Sequence, residues 1–205
     1  MDNPGGLHAR EKAFAQEAFK EYYRQHLKAP PQIFAREFGF GFEKKIDFRH
    51  RAFESEFQLQ EFIQREAPLF MSYSAAYYRY PAAQPMENKG FLGADLVFDL
   101  DADAKHDGHN PVICPKCFGK VREDCIELIE EYLLADFGFS AGELSVNFSG
   151  QKGFHVHIRS EKVRELSAEA RKQLINYVSA AGLDLGKILS KQRRPSDTGR
   201  LVEVL

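Results

Sequence analysis

Apolar and polar positions alternate along the chain in patterns that predict short helices and strands in turn. Leu7 to Leu27 holds good helix formers, with Phe14, Phe19, Tyr22 and Tyr23 on a patchy apolar face, and Pro30 and Pro31 end that helix. Arg36 to Phe42 and Ile46 to Phe53 alternate with period two, which predicts two strands joined by the polar turn Glu43-Lys44-Lys45. Glu54 to Glu66 predicts a helix with Phe57, Leu59 and Phe62 inward. Leu69 to Tyr80 is aromatic, small-residue-rich and bounded by Pro81, which predicts one strand; Ala94 to Leu100 is a second, running into acid. Asp101 to Pro111 is polar, His-rich and irregular. Phe118 to Asp136 is strongly periodic, with Val121, Cys125, Leu128, Ile129 and Leu133 on one side of a helix. Leu144 to Ser160 predicts two strands around Ser149-Gly150-Gln151-Lys152-Gly153. Ser167 to Ala181 predicts a helix, and Leu183 to Leu189 a second short one. This order predicts an α/β (α+β) fold with a sheet at its centre.

Composition narrows the picture a little. A chain of 205 residues with a 43% apolar fraction can bury a sizeable core in one large domain. The formal net charge of -2 excludes a global basic field, so any nucleic-acid surface would be a local patch. Three cysteines, Cys114, Cys117 and Cys125, fall too close together and in too odd a number for a disulfide framework. Inside a cell a Cys-x-x-Cys pair is a metal or redox site. The N-terminus carries no signal pattern, and no apolar run reaches the roughly 18 residues of a membrane span. The expectation is a cytoplasmic protein.

Three motifs carry candidate chemistry. In Asp95-Leu96-Val97-Phe98-Asp99-Leu100-Asp101, residues two apart share a strand face, so Asp99 and Asp101 point the same way. Ionised carboxylates that close repel each other, and a bound Mg²⁺ or Mn²⁺ removes the repulsion. Two-metal phosphoryl-transfer sites hold their ions about 3.5–4 Å apart with such acids. The alternative is a strand ending in a polar turn; Asp95 and Asp103 read as flanking charge. In Ser149-Gly150-Gln151-Lys152-Gly153-Phe154-His155-Val156-His157, two glycines let backbone N–H groups approach an anion. Lys152 adds charge, Ser149 a hydroxyl, and His155 and His157 share a face. The alternative is a plain hairpin turn with a solvated lysine. In the third motif His106, His109, Cys114 and Cys117 suit a closed tetrahedral Zn²⁺ site, with Asp107 an alternative to His106. A redox Cys-x-x-Cys is the competing reading, and Cys125 falls on the apolar helix face as core.

Together and in this order, these segments resemble the small catalytic subunit of the archaeal and eukaryotic DNA primases. Arg36-Glu37-Phe38-Gly39-Phe40 resembles the family's Arg-Glu-Phe motif, and Tyr77-Tyr78-Arg79-Tyr80-Pro81 resembles another family segment. Asp95 to Asp101 resembles its acidic strand, Ile113 to Cys117 its zinc knuckle, Asp136-Phe137-Gly138-Phe139 the segment before the next strand. Phe148 to His155 resembles its Ser-Gly-x-x-Gly-x-His motif.

The resemblance implies one primase catalytic domain over residues 1–205, with a central mixed sheet flanked by helices and a zinc-knuckle insert at about residues 102–118. It implies template-directed primer synthesis from nucleoside triphosphates on single-stranded DNA, by two-metal nucleotidyl transfer. Asp99 and Asp101 would be two of three catalytic Mg²⁺ or Mn²⁺ ligands. Ser149, Gly150, Lys152, Gly153 and His155 would face the nucleotide, with Arg49 and Glu37 nearby. Zn²⁺ would sit in the knuckle. The implied partners are a primase large subunit and a replicative DNA polymerase, in the cytoplasm of an archaeon or the nucleus of a eukaryote.

The sequence departs from the family pattern in two places. Histidines stand in the knuckle where relatives often have cysteines, and the chain stops at Leu205, short of a typical member, so a C-terminal truncation is expected. The third acid normally lies beyond that point, and Asp197-Thr198-Gly199-Arg200-Leu201 resembles its surroundings only faintly. Two competing functions remain: a repair or plasmid primase-polymerase, and a catalytically incomplete zinc-bearing module that binds nucleic acid or a partner.

Overall fold

The computed structural model describes residues 4–42, 46–102, 114–149 and 152–180. Its packing divides the chain into two units, Met1–Ala94 and Asp95–Leu205.

In the first unit, helix α1 (Pro4–His26) lies against α2 (Glu56–Glu66). Glutamines stitch the pair: Gln64 donates to Lys20 O at 2.9 Å and Gln60 to Arg24 O at 3.1 Å. Ser55 caps α2 by accepting from Gln58 N–H, and Ala67 closes it in the left-handed region. Leu59, Phe62 and Ile63 are buried, spaced three and four apart as one helix face requires. Phe57 is 65% exposed, against expectation, because two residues before Leu59 a helical side chain points to the opposite side.

Strands β1 (Phe38–Gly41), β2 (Phe48–Arg51) and β3 (Phe70–Tyr73) form an antiparallel sheet in the order β2-β1-β3. Phe38 and Phe40 lie fully buried among Phe53, Phe62 and Leu59, with the Phe40 and Phe62 rings 4.6 Å apart. β4 (Ala76–Tyr78) pairs instead with β5 (Phe91–Ala94) in a separate two-stranded sheet. The single strand expected over Leu69 to Tyr80 is therefore two.

Arg36 accounts for that break. Its side chain is fully buried and donates to Ser74 O at 2.8 Å, Ala75 O at 3.3 Å, Pro31 O at 2.9 Å and Tyr77 Oη at 2.6 Å. Carbonyls at the joint are thus satisfied by a guanidinium rather than a ladder. The ring of Tyr77 also lies 4.1 Å from the guanidinium carbon. Replacing Arg36 by alanine strands these acceptors inside the unit, and the expected loss is about 3 kcal/mol or more, read by chemical denaturation.

In the second unit, β6 (Leu96–Asp101), β7 (Leu144–Phe148) and β8 (Gly153–Ile158) form an antiparallel sheet in the order β6-β8-β7. α3 (Pro115–Glu127) packs on β6 and β8 and then widens into a π-type ladder over Leu128–Asp136, whose end is marked by Phe137 N–H donating to Tyr132 O. Tyr132 is buried beside Leu128 and Leu133, four residues on from Leu128 and so on the same helix face. Cys125 is core, as expected, among Leu96, Val156 and Ile158. α4 (Glu161–Arg164) and α5 (Ala168–Val178) begin on the capping hydroxyls of Ser160 and Ser167. The short helix expected over Leu183 to Leu189 lies outside the described residues.

Asp95 is not flanking charge. Its carboxylate is buried 3.5 Å from Arg159 Nε, and Arg171 donates to its carbonyl at 2.9 Å. The strand expected over Ala94 to Leu100 breaks there into β5 and β6. A second correction follows: among the described residues there is no central mixed sheet but three small sheets, all antiparallel. Side chains that satisfy backbone groups at Ser74, Ala75 and Asp95 interrupt the longer strands that one continuous sheet would need. Among the described residues no helix is long and apolar enough to cross a membrane.

Entry into β7 is set by Glu143, which accepts from Ser140 N–H at 2.8 Å and from Ser140 Oγ at 2.9 Å in a capping box. The Ser140 backbone N–H first, then the Ser160 and Ser140 hydroxyls, hold the Glu143 carboxyl down at about 2, from an ordinary 4.5. A lowered folded-state value gives a stabilising contribution that is complete above about pH 4.5 and lost as pH falls through about 2. Carboxyl-carbon NMR is expected to show Glu143 titrating near pH 2, and Glu143→Gln is expected to remove that share of the acid sensitivity.

Candidate active site

Antiparallel pairing of β6 with β8 sets Asp99 opposite His155, Asp101 opposite Gly153 and Val97 opposite His157. On the other side of β8, Asn147 faces His155 and Ser145 faces His157. Side chains alternate across a sheet, so Asp99, Asp101, His155, His157, Asn147 and Ser145 share one face. Leu96, Phe98, Leu100, Phe154, Val156 and Ile158 take the other and pack in the core. The acidic strand is thus apolar beneath and polar above. Both carboxylates lie open, Asp99 at 66% and Asp101 at 45% side-chain exposure.

Each carboxylate already faces a basic group of the glycine-flanked motif. Lys152 Nζ lies 2.9 Å from Asp101 Oδ2, and His155 Nε2 lies 3.3 Å from Asp99 Oδ1. The turn that delivers Lys152 is closed by Ser149, whose Oγ accepts from Gly153 N–H at 3.0 Å and Lys152 N–H at 3.4 Å. Ser149 N–H donates to Gly153 O at 2.9 Å, and Ala102 N–H to Lys152 O at 3.0 Å. Ser149 therefore shapes the turn. Gly153 is required by space: a Cβ there would stand 1.8 Å from Leu100 O and 2.8 Å from Asp101 Oδ1. Gly150 lies outside the described residues.

Glu37 and Arg49 belong to the first unit and line a cavity of about 240 Å³ with Gly39, His50 and Ser72. Glu37 is the hub of a charged cluster there. His50 Nδ1 lies 2.9 Å from Glu37 Oε1, which also accepts from His50 N–H at 3.2 Å, and the fully buried Lys89 Nζ lies 3.3 Å from Oε2. Lys89 Nζ also donates to Pro81 O. Glu37 helps to raise the Tyr78 phenol above its ordinary value, after burial as the larger cause. A bulge in β2, where Arg49 and His50 together oppose Gly39, puts His50 at φ +62° and turns both residues into the cavity. Sequence patterns missed His50, Lys89 and Asn147. Only the strand parity of Asn147 with Ser145 was available to find one of them.

Two of the four zinc candidates are described. Cys114 is the N-cap residue of α3, and Cys117 is buried within it. His106, Asp107 and His109 lie outside the described residues, as does Asp197. Among the described residues no group of three or more His, Cys, Asp or Glu side chains is arranged to hold a metal.

The sequence model of the DNA primase small subunit family matches residues 98–198, which include both carboxylates and the glycine-flanked turn. The chain is 37% identical to the DNA primase small subunit PriS of Methanocella arvoryzae over 94% of its own length and 49% of that protein's. It is 36% identical to the same subunit of Methanothrix thermoacetophila, covering 94% and 50%. Against that of Methanosarcina barkeri it is 37% identical, covering 90% and 44%. The chain spans about half the length of these curated relatives. By sequence it belongs with the DNA primase small subunits.

Proposed function

We propose that this chain carries part of a primase active site, which extends a primer on single-stranded DNA by nucleotidyl transfer from nucleoside triphosphates. The observation that carries the reading is the facing of Asp99 and Asp101 by His155 and Lys152 across paired strands, in a chain related to primase small subunits.

Asp99 and Asp101 would hold the divalent cation. The fit rests on two hard carboxylate oxygens on one open face, each already close to a basic group. When bound, Mg²⁺ or Mn²⁺ supplies charge neutralisation at the reacting phosphate and a more acidic attacking hydroxyl. Lys152, released from Asp101, pairs with a triphosphate oxygen. His155 donates a hydrogen bond to the same group. Ser149 holds the turn that carries Lys152, and Gly153 keeps β6 and β8 close enough for both sets to meet. For Arg49 and Glu37, which line the cavity of the first unit, a nucleotide-binding role is supported by the family resemblance alone. Positioning and electrostatics would supply most of the acceleration.

Cys114, Cys117, His109 and His106 would hold a structural Zn²⁺, with Asp107 the other choice for the fourth ligand. A primase large subunit is the proposed partner, with a replicative DNA polymerase next in the assembly. Purified chain is expected to retain about one zinc after dialysis against weak chelator and to lose it in Cys117→Ala; a folded, zinc-free chain contradicts the knuckle. The function itself is tested by Mn²⁺-dependent dinucleotide synthesis on single-stranded template. Asp99→Ala is expected to abolish product, and product formation that ignores this substitution contradicts the mechanism.

A further inference from the structure

A second cavity of the first unit, about 430 Å³, has no place in the mechanism above. That size is within the range of small-ligand sites. Its apolar wall is made by Phe42, Phe48 and Phe62, with Phe48 41% exposed and Phe62 buried beneath. Arg51 lies across this wall, its guanidinium carbon 4.9 Å from the Phe48 ring centre and 5.6 Å from that of Phe62. Arg65 stands 5.8 Å from Phe62 from the α2 side.

The charges at the rim are not equivalent. Arg65 is paired with Glu66 at 2.8 Å. Arg51 and Asp47 line the same cavity, and among the described residues neither side chain has an ion pair or hydrogen bond. One unpaired cation, one unpaired acceptor and a partly open aromatic ring therefore converge. The β2 bulge separates this set from the other cavity: Arg49 and His50 turn one way, Phe48 and Arg51 the other.

We propose that this cavity is a subsite for one nucleotide of a single-stranded nucleic acid, distinct from the nucleotide site assigned to Arg49. Its base stacks on Phe48, its phosphate pairs with Arg51, and Asp47 accepts from an exocyclic amino group of the base. An isolated anion would use Arg51 but not the ring or Asp47, and an apolar ligand would leave both charges unpaired. The nucleic-acid class of the ligand rests on the proposed function, whereas the subsite residues do not.

The test is fluorescence anisotropy of a labelled short oligo-dC titrated with the 205-residue chain at several salt concentrations. Phe48→Ala is expected to weaken binding about tenfold, the loss of one base–aromatic stack. Arg51→Gln is expected to lower the slope of log affinity against log salt by about 0.7, one phosphate contact fewer. Arg122→Gln, an exposed arginine of the second unit, is the control and is expected to leave both unchanged. Circular dichroism confirms that each variant is folded. An unchanged slope for Arg51→Gln, an equal effect of Arg122→Gln, or no binding by the parent chain overturns the subsite. Preference for an acidic aromatic peptide over the oligonucleotide overturns it as well. Mn²⁺ binding that depends on Asp99, measured on the same samples, keeps failure of the subsite distinct from failure of the catalytic reading.

Discussion

The Gly153→Ala variant is expected to lose at least about 3 kcal/mol of stability, with a matching fall in its denaturation midpoint. The added methyl carbon would stand 1.8 Å from Leu100 O, well inside van der Waals contact, and 2.8 Å from an Asp101 carboxylate oxygen. Backbone atoms cannot rotate away as a side chain can, so β6 and β8 must separate at that end. Separation breaks the register in which Asp101 opposes Gly153 and Asp99 opposes His155. It also pulls Lys152 from Asp101 and disturbs the bond from Ala102 N–H to Lys152 O. A loss below about 1 kcal/mol would mean that the close approach of the two strands is not what holds the site together.

Asp99→Asn and Asp101→Asn are expected to do the opposite. Both side chains are well exposed, and their pairings with His155 and Lys152 are surface pairs worth at most about 1 kcal/mol. Thermal denaturation is therefore expected to change little. Metal-dependent nucleotidyl transfer is expected to fall by at least about 10²-fold for each, because charge stabilisation at the reacting phosphate depends on ionised ligands. Asparagine keeps the shape and one oxygen but not the charge, so the comparison isolates electrostatics from packing. If activity fell only as far as stability did, the two carboxylates would be structural.

The contrast between these two variants follows from which features local pattern could reveal. Strand parity is a property of neighbours in sequence, and it was enough to place Asp99 with Asp101 and His155 with His157 on common faces. The caps at Ser55 and Ser167 and the core position of Cys125 are equally local. The breaks in the strands are not. Arg36 reaches carbonyls of Ser74 and Ala75, and Arg171 reaches Asp95 from 76 residues further along the chain. No periodicity records such bonds, so Leu69 to Tyr80 and Ala94 to Leu100 each read as one strand and the sheet as a single central one.

The cavity of the first unit shows the same limit. Only the family resemblance points to Glu37 and Arg49. The buried Lys89 and the bulge that turns His50 onto Glu37 arise from pairing between distant segments. Phe57 failed for a different reason. Its apolar character suggests an inward position, but its angular position relative to Leu59 points outward.

The central claim is that Asp99 and Asp101 together form a divalent-cation site. Titration of the 205-residue chain with Mn²⁺, followed by electron paramagnetic resonance of the free ion, tests it most directly. The account predicts saturable binding that is strengthened by nucleoside triphosphate and lost in both Asp99→Asn and Asp101→Asn. Binding of equal strength in the parent chain and both variants would contradict it.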